Sequence, residues 1–272
     1  MPASLNEIVA ATRRRVVETK PAADLRRLER QAGNHVPRGF QRGLESGSAN
    51  GIAVIAELKR ASPSRGLIRA DFDPESLAKE LESAGAAALS VLTDAEFFQG
   101  SLENLRRASA STKVPCLRKD FIVDEFQLLE ARANGADAVL LIVAALSEVE
   151  LKMLARRAGE YALDVLCEVH DEEELERAVD TGCVLIGVNS RDLRTFKVDL
   201  KTAFRLADLI PKNALAVAES GIHSGADLAR LRAVGYKAFL IGESLMKAKA
   251  PGQALRTLLI DAEHESHALL RK

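Results

Sequence analysis

The sequence predicts an α/β protein: a closed barrel of eight parallel strands, each followed by a helix. From about residue 52 onward, a short apolar run and an amphipathic segment alternate eight times. The starts of the runs lie roughly 20–35 residues apart, the length of one βα unit. Many runs lack strict polar alternation, as expected for strands covered by helices on one face and packed inside a barrel on the other.

The eight apolar runs occupy residues 52–58, 86–92, 114–117, 138–143, 162–169, 184–188, 214–218 and 238–241. An open doubly wound sheet is the alternative arrangement. It does not normally need eight uninterrupted units, whereas a (β/α)8 or TIM barrel does. We therefore predict the barrel.

Helix boundaries between the runs follow capping chemistry. Asp73 before Pro74 is typical of an N-cap with proline at the first helical position, and Gly85 of a C-terminal stop. Three further helix starts have the spacing of a capping box or its close relative: Asp124 with Gln127, Ser147 with Glu150, and Asp171 with Glu174. Two further helices are expected over 201–209 and 224–233.

The first 50 residues lie outside the repeat and predict an N-terminal helical extension, with the barrel over 51–272. A helix begins at Ser4, Pro21 interrupts it, and a second helical stretch follows from Asp24. Residues 39–51 are rich in Gly and Ser, which predicts a mobile connection into the first strand. Two roles remain open for the extension: a cap on one barrel mouth or a contact between copies of the chain.

Composition narrows the function classes. The chain has 272 residues, 28% of them charged, and a formal net charge of −1, which supports neither a nucleic-acid nor a membrane partner. No apolar run approaches the roughly 18 residues of a spanning helix, and the N-terminus does not resemble a signal peptide. Cys116, Cys167 and Cys183 lie in apolar runs without CxxC spacing, which predicts buried, reduced thiols and a cytoplasmic protein.

Ionisable and amide side chains end five of the runs. Because active sites of parallel barrels lie at the carboxyl ends of the strands, we expect these side chains to converge on one rim. One charged residue there is usually a solvated loop residue. The set as a whole predicts acid/base chemistry and comprises Glu57, Lys59, Lys119, Glu168, Asn189 and Glu219.

A phosphate site is predicted after the last two strands. Ser220-Gly221 and Gly242-Glu243 each lead into a helical segment, and glycine lets backbone N–H groups approach an anion. Ser62 and Lys59 could complete the site. The Glu243 carboxylate has to point elsewhere, although its backbone N–H can donate.

Apolar residues near the same rim could enclose a planar ring, although each alone is more often ordinary packing: Phe98, Phe121, Leu140 and Leu193. With the anion site they predict a small-molecule ligand that is aromatic at one end and phosphorylated at the other. No Walker motif, dinucleotide fingerprint or metal-ligand spacing occurs, so neither a cofactor nor a metal is expected.

Several segments resemble the signatures of one enzyme family, indole-3-glycerol-phosphate synthase. The resemblance covers roughly residues 52–247, and its blocks are IAELKRASPSRG at 55–66, SVLTD at 90–94, LRKDFIVD at 117–124, GVNSRDL at 187–193 and ESGI at 219–222. It implies ring closure of 1-(2-carboxyphenylamino)-1-deoxyribulose 5-phosphate to indole-3-glycerol phosphate, with loss of CO2 and water, in tryptophan biosynthesis.

The resemblance also implies roles. Lys119 looks like the general acid of closure, and Lys59, backed by Glu57, is similar to the residue that assists dehydration. Glu168 would stabilise a cationic intermediate or take a proton. Asn189, Arg191 and Glu219 would orient groups in the site. A monomer or weak homo-oligomer is expected.

Two other functions are weighed against this one. Another phosphate-binding barrel, such as a phosphoribosylanthranilate isomerase, could draw an acid/base pair from the same rim. A non-catalytic sugar-phosphate sensor is the second alternative. The sequence contains every residue that is proposed to transfer a proton, which argues against the sensor.

Overall fold

The strands form the predicted closed barrel in the computed structural model, which describes residues 3–193 and 195–269. The strands are β1 (Ala53–Leu58), β2 (Ala61–Ser62), β3 (Gly66–Leu67), β4 (Ala88–Leu92), β5 (Cys116–Lys119), β6 (Ala138–Ile142), β7 (Asp164–Val169), β8 (Leu185–Asn189), β9 (Leu215–Glu219) and β10 (Ala238–Ile241). β2 and β3 pair as a short antiparallel hairpin after β1. The others pair in parallel, and β1 pairs with both β4 and β10. This closure excludes the open sheet.

Strand β1 illustrates how alternation builds two cores. Ala53 and Ile55 belong to the cluster inside the barrel, whereas Val54, Ala56 and Leu58 belong to the cluster between barrel and helices. Successive side chains of a strand point to opposite faces. A charged residue that follows the period of Ala53 and Ile55 therefore points into the barrel.

The helices are α1 (Leu5–Thr19), α2 (Leu25–Asn34), α3 (Phe40–Ala49), α4 (Pro74–Ser83), α5 (Ala95–Phe98), α6 (Leu102–Ala110), α7 (Phe126–Ala133), α8 (Glu148–Glu160), α9 (Glu172–Asp180), α10 (Lys201–Leu206), α11 (Gly225–Ala233), α12 (Glu243–Lys247) and α13 (Pro251–Leu269). The predicted caps at Asp73 and Asp171 are confirmed, since each side chain accepts a backbone N–H three residues on. Ser147 and Glu150 form a full capping box.

The expected mobile connection over residues 39–51 is wrong, because α3 occupies most of it. Phe40 and Leu44 lie one helical turn apart and are both fully buried. Gly47 lets the helix approach the barrel closely, since a Cβ there would lie 2.9 Å from the Cβ of Ala87. The division of the chain at residue 50 stays a prediction.

The expectation of three reduced thiols is also wrong. Cys167 on β7 and Cys183 just before β8 form a disulfide, whereas Cys116 is a free, buried thiol. Cys183 lies near Cys167 because β8, which begins two residues after Cys183, pairs with β7. Burial raises the pKa of Cys116 to about 12, which keeps it a thiol at neutral pH.

No helix among the described residues is long and apolar enough to cross a membrane.

Replacing Tyr236 by Phe tests one buried hydrogen bond of the scaffold. The Tyr236 hydroxyl is buried and donates to the carbonyl oxygen of Ala203 at 2.7 Å. Losing this bond removes one of two hydrogen bonds to that oxygen, which still accepts the backbone N–H of Ala207, so we expect the free energy of unfolding in urea to fall by about 1 kcal/mol. Tyr161→Phe is the control, with a change within about 0.5 kcal/mol. Equal losses in both variants would contradict the assignment.

Candidate active site

A cavity opens at the carboxyl ends of the barrel strands. Its volume of about 240 Å³ suits a small organic molecule, since a water occupies only about 30 Å³. Every site residue proposed from the sequence lines it: Glu57, Lys59, Ser62, Phe98, Lys119, Phe121, Leu140, Glu168, Asn189, Arg191, Leu193, Glu219, Ser220, Gly221, Gly242 and Glu243.

Strand register brings the charged side chains to one level. Lys119 ends β5, Asn189 ends β8 and Glu219 ends β9, and Asn189 is the register partner of Glu219. Glu168 lies one residue before the end of β7, opposite Ile142, the last residue of β6. These residues sit far apart in the chain but share the rim because the barrel is closed.

The Lys119 ammonium is the centre of this arrangement. Its Nζ lies 2.8 Å from Oε2 of Glu168 and 3.4 Å from Oε2 of Glu219. Burial alone would lower the pKa of Lys119, but attraction to Glu168, Glu219 and Glu57 raises it well above its ordinary value. Lys119 is therefore protonated at neutral pH.

The two carboxyl groups beside Lys119 titrate in opposite directions. Burial opposes ionisation of Glu168, yet Lys119 and His170 hold the pKa of that carboxyl well below its usual range. Burial raises the pKa of Glu219 to about 8, and the negative charges of Glu168 and Glu57 add to the rise. The site thus contains one fixed anion and one carboxyl group that is largely protonated at neutral pH.

Glu57 and Lys59 form their own buried pair. The Lys59 ammonium donates to Oε1 of Glu57 at 2.5 Å, and both side chains are largely shielded from solvent. Gly242 makes room for the carboxylate, because a Cβ at that position would lie 2.3 Å from Oε1 of Glu57. Lys59 therefore lines the cavity with its ammonium paired to the Glu57 carboxylate.

Gly187 on β8 makes room for Glu219 in the same way. A Cβ at Gly187 would lie only 2.1 Å from Oε1 of Glu219. That oxygen has no hydrogen-bond partner among the described residues. Glycine at this strand position therefore lets the carboxyl group lie flat against the barrel wall, within reach of Lys119.

The loops after β8, β9 and β10 form the polar end of the cavity. Ser220 and Gly221 both have left-handed backbone, with φ of 65° and 80°. The Asn189 side-chain oxygen accepts the backbone N–H of Arg191 at 3.0 Å, which shapes the loop after β8. Glycine is needed at 221, since a Cβ would lie 2.7 Å from Cγ1 of Val198.

The Glu243 carboxylate, whose negative charge would repel a phosphate, is paired with basic side chains. Its carboxylate lies 3.2 Å from Nε of Arg65, 3.6 Å from Nη2 of Arg191 and 2.5 Å from Nζ of Lys247. Although burial opposes it, Lys247 and Arg65 lower the pKa of Glu243. The carboxylate is thus occupied by basic side chains.

Apolar side chains also line the cavity. The rings of Phe98 and Phe121 lie 6.2 Å apart with an interplanar angle of 38°, and Leu140 and Leu193 line the same cavity. The cavity therefore offers both an aromatic surface suited to a planar ring and a polar surface rich in glycine and arginine.

Helix α1 contributes residues that sequence reasoning missed. Leu5 and Ile8 line the cavity, and Arg15 pairs with Asp94 at 2.9 Å and with Asp120 at 3.6 Å. This places α1 at the cavity mouth, as the cap alternative expected. The spacing of Leu5 and Ile8 in the sequence indicates an apolar face of helix α1. It does not indicate which part of the protein that face covers.

Further lining residues that were not proposed as site residues include Phe196, Val198, His223, Leu240 and Ser244. Among the residues that the structure describes, no group of three His, Cys, Asp or Glu side chains is arranged to hold a metal ion.

Comparison with known proteins connects the cavity to one enzyme family. The sequence model described as "Indole-3-glycerol phosphate synthase" matches residues 5–258. An indole-3-glycerol phosphate synthase of Koribacter versatilis (strain Ellin345) is 59% identical over 95% of this chain and 100% of its own length. One of Chlorobium luteolum is 48% identical over 90% of this chain and 94% of its own length.

Solved structures with low sequence identity share the fold. Thiamine phosphate pyrophosphorylase from Pyrococcus furiosus matches with a TM-score of 0.58 and 19% identity, covering 79% of this chain and 96% of that chain. At this identity the likeness establishes the barrel alone.

Gly187→Ala tests whether this glycine positions Glu219. The added methyl group has to push the carboxyl away from the wall, so we expect overpacking to lower the free energy of unfolding by about 1–3 kcal/mol. A crystal structure of the variant should have Glu219 displaced from Lys119. Gly159→Ala is the matched control, because an added Cβ meets nothing within 4 Å there. A Gly187→Ala variant as stable as this control, with Glu219 unmoved, would contradict the assignment.

Proposed function

The chain belongs to the indole-3-glycerol phosphate synthase family, and we propose how its cavity performs the ring closure of tryptophan biosynthesis. The substrate is 1-(2-carboxyphenylamino)-1-deoxyribulose 5-phosphate, and the products are indole-3-glycerol phosphate, CO2 and water, which makes the enzyme a carboxy-lyase. One observation carries the assignment of roles: the buried Lys119 ammonium lies within 3.4 Å of two carboxyl groups that titrate in opposite directions.

The apolar and the polar lining residues of the cavity suit the two ends of this substrate. The carboxyphenyl ring would lie against Phe98, Phe121, Leu140 and Leu193. The phosphate would accept hydrogen bonds at the polar end, from Ser62 and from backbone N–H groups around Ser220, Gly221, Gly242 and Glu243. This orientation places the ketone near the centre of the rim.

Ring closure requires an acid at the ketone. The aromatic carbon that bears the carboxylate attacks the carbonyl carbon, a C–C bond forms, and the carbonyl electron pair moves to oxygen. Lys119 donates a proton to that oxygen, because its ammonium is protonated at neutral pH and lines the cavity. The carboxylate then leaves as CO2, and the electrons of its C–C bond restore the aromatic ring.

The cationic intermediate needs a fixed negative charge near the ring nitrogen. Glu168 suits this role, since its carboxylate remains ionised between Lys119 and a histidine. A carboxylate with so low a pKa is a weak base, so of the two roles implied by the resemblance we assign electrostatic stabilisation to Glu168. Asn189 and Arg191 hold the loop that borders the same region.

Dehydration requires a second acid and a base. Lys59, paired with Glu57, donates a proton to the departing hydroxyl, which leaves as water. The proton on the adjacent carbon passes to the ionised form of Glu219, which is the minor form at neutral pH but the more basic of the two carboxylates beside Lys119. Its loss forms the double bond of the indole.

No observation favours either alternative function. An isomerase needs one acid/base pair, whereas this rim contains two lysines, each with a carboxylate partner. A non-catalytic sensor has no need of a carboxyl group with a pKa near 8 in its cavity.

The cytoplasmic location and the monomeric or weakly associated state stay predictions. The Cys167–Cys183 disulfide removes the argument for the cytoplasm that rested on reduced thiols.

Lys119→Met tests the acid of ring closure. Met has a similar length and no proton to donate, so we expect the rate of indole formation, followed by its fluorescence, to fall at least about a hundredfold. Circular dichroism should indicate a nearly unchanged fold, since the neighbouring carboxyl groups can take up protons. The control is Lys113→Met, whose side chain lies exposed outside the cavity.

Two outcomes would count against the proposal. A Lys119→Met variant with most of its activity would overturn the acid assignment. A folded wild-type protein that binds phosphate but produces no indole fluorescence from the carboxyphenylamino substrate would instead favour the sensor.

A further inference from the structure

His170 lies directly after β7, two residues beyond Glu168, and was not among the residues proposed from the sequence. Its side chain is only 13% exposed. Nδ1 of the ring lies 2.9 Å from Oε2 of Glu174 on α9, and the backbone N–H of His170 donates to the same oxygen at 2.8 Å. The orientation of the imidazole is therefore determined by Glu174.

The other ring nitrogen faces the active site. Nε2 lies 3.5 Å from Oε1 of Glu168 and has no hydrogen-bond partner among the described residues. Oε2 of Glu168 accepts from Lys119 at 2.8 Å. The Glu168 carboxylate is thus held between Lys119 on one oxygen and His170 on the other.

The charge state of the ring follows from its neighbours. Burial alone would lower the pKa of His170, but the carboxylates of Glu168 and Glu174 raise it to about 10. Among the residues that the structure describes, the charged groups in contact with the ring are these two carboxylates, and Lys119 lies beyond the far oxygen of Glu168. Both nitrogens then carry protons at neutral pH, so the ring offers a donor to each carboxylate.

Capping of α9 does not account for this geometry. Asp171 is the N-cap and accepts the backbone N–H of Glu174. The contact between Glu174 and His170 ties the preceding residue to the helix, but capping does not require the other side of the ring to meet a charged group. Among the described residues, the carboxylate within 4 Å of Nε2 is that of Glu168.

We propose that His170 is a positioning residue of the reaction, which together with Glu174 holds the Glu168 carboxylate oriented and ionised opposite Lys119. The inference rests on the role of Glu168 proposed above. A series of contacts connects the start of α9 to the general acid of ring closure, and it runs from Glu174 through His170 and Glu168 to Lys119. His170 itself need not touch the substrate.

The experiment compares two substitutions that each keep a hydrogen-bonding group at the position of one of the two ring nitrogens. In His170→Asn the amide can reach Glu174 but not Glu168. In His170→Gln the amide reaches the position of Nε2 and can still donate to Glu168. We expect kcat of His170→Asn to fall about tenfold with KM within about twofold of wild type, and kcat of His170→Gln to recover to within about threefold.

A ¹³C NMR titration of the Glu168 carboxyl group separates positioning from a purely structural role. Loss of the cation raises the pKa of Glu168, so the signal of this carboxyl group should titrate at higher pH in His170→Asn than in the wild type. The control is His264→Asn on α13, an exposed histidine outside the cavity, which should match wild type in kcat and in the titration of Glu168.

Each outcome decides the inference. Unchanged kcat in a folded His170→Asn variant, or equal losses in the Asn and Gln variants, would overturn it. If His170→Asn does not fold, Glu174→Gln is tested instead: it leaves the ring in place, and an unchanged kcat with an unchanged titration of Glu168 would overturn the inference. If wild-type protein forms no indole product, the proposed function fails instead.

Discussion

The ammonium of Lys119 between buried carboxyl groups is the interaction on which the rest of the site depends. Isolated charges at this depth would be costly to desolvate, so each has to find a partner in the barrel wall. Lys119, Glu168 and Glu219 come from β5, β7 and β9. The closed barrel brings both carboxyl groups within 3.4 Å of the Lys119 ammonium. Glycine at position 187 then lets the Glu219 carboxyl lie against the wall.

One cation cannot fully compensate two carboxylates, and this imbalance separates their properties. Glu168 has Lys119 and His170 beside it and stays ionised, whereas Glu219 has only part of Lys119 and retains its proton up to a pKa of about 8. Two residues of the same type thereby become suited to different work. One stabilises positive charge, and the other exchanges a proton.

Sequence alone predicted the barrel and the rim because both follow from local rules. Apolar runs at βα spacing indicate parallel strands, and charged residues at strand ends indicate the catalytic face. The same rules failed over residues 39–51. The Gly and Ser content predicted a mobile connection, whereas the spacing of the buried Phe40 and Leu44 is that of the helix α3 found there. These rules could not find His170, because its contact with Glu168 depends on where α9 places Glu174. The directions of the pKa shifts likewise depend on distances across the barrel.

The central claim is that Lys119 leaves Glu168 ionised and Glu219 protonated in the same cavity. The most direct measurement is a titration of ¹³C-labelled glutamate carboxyl groups by NMR between pH 5 and about pH 9, with signals assigned through Glu168→Gln and Glu219→Gln. We expect the Glu219 signal to titrate near pH 8 and the Glu168 signal to remain that of an ionised carboxylate throughout. A Glu219 signal that is already ionised at pH 5, or a Glu168 signal that titrates within this range, would contradict the account.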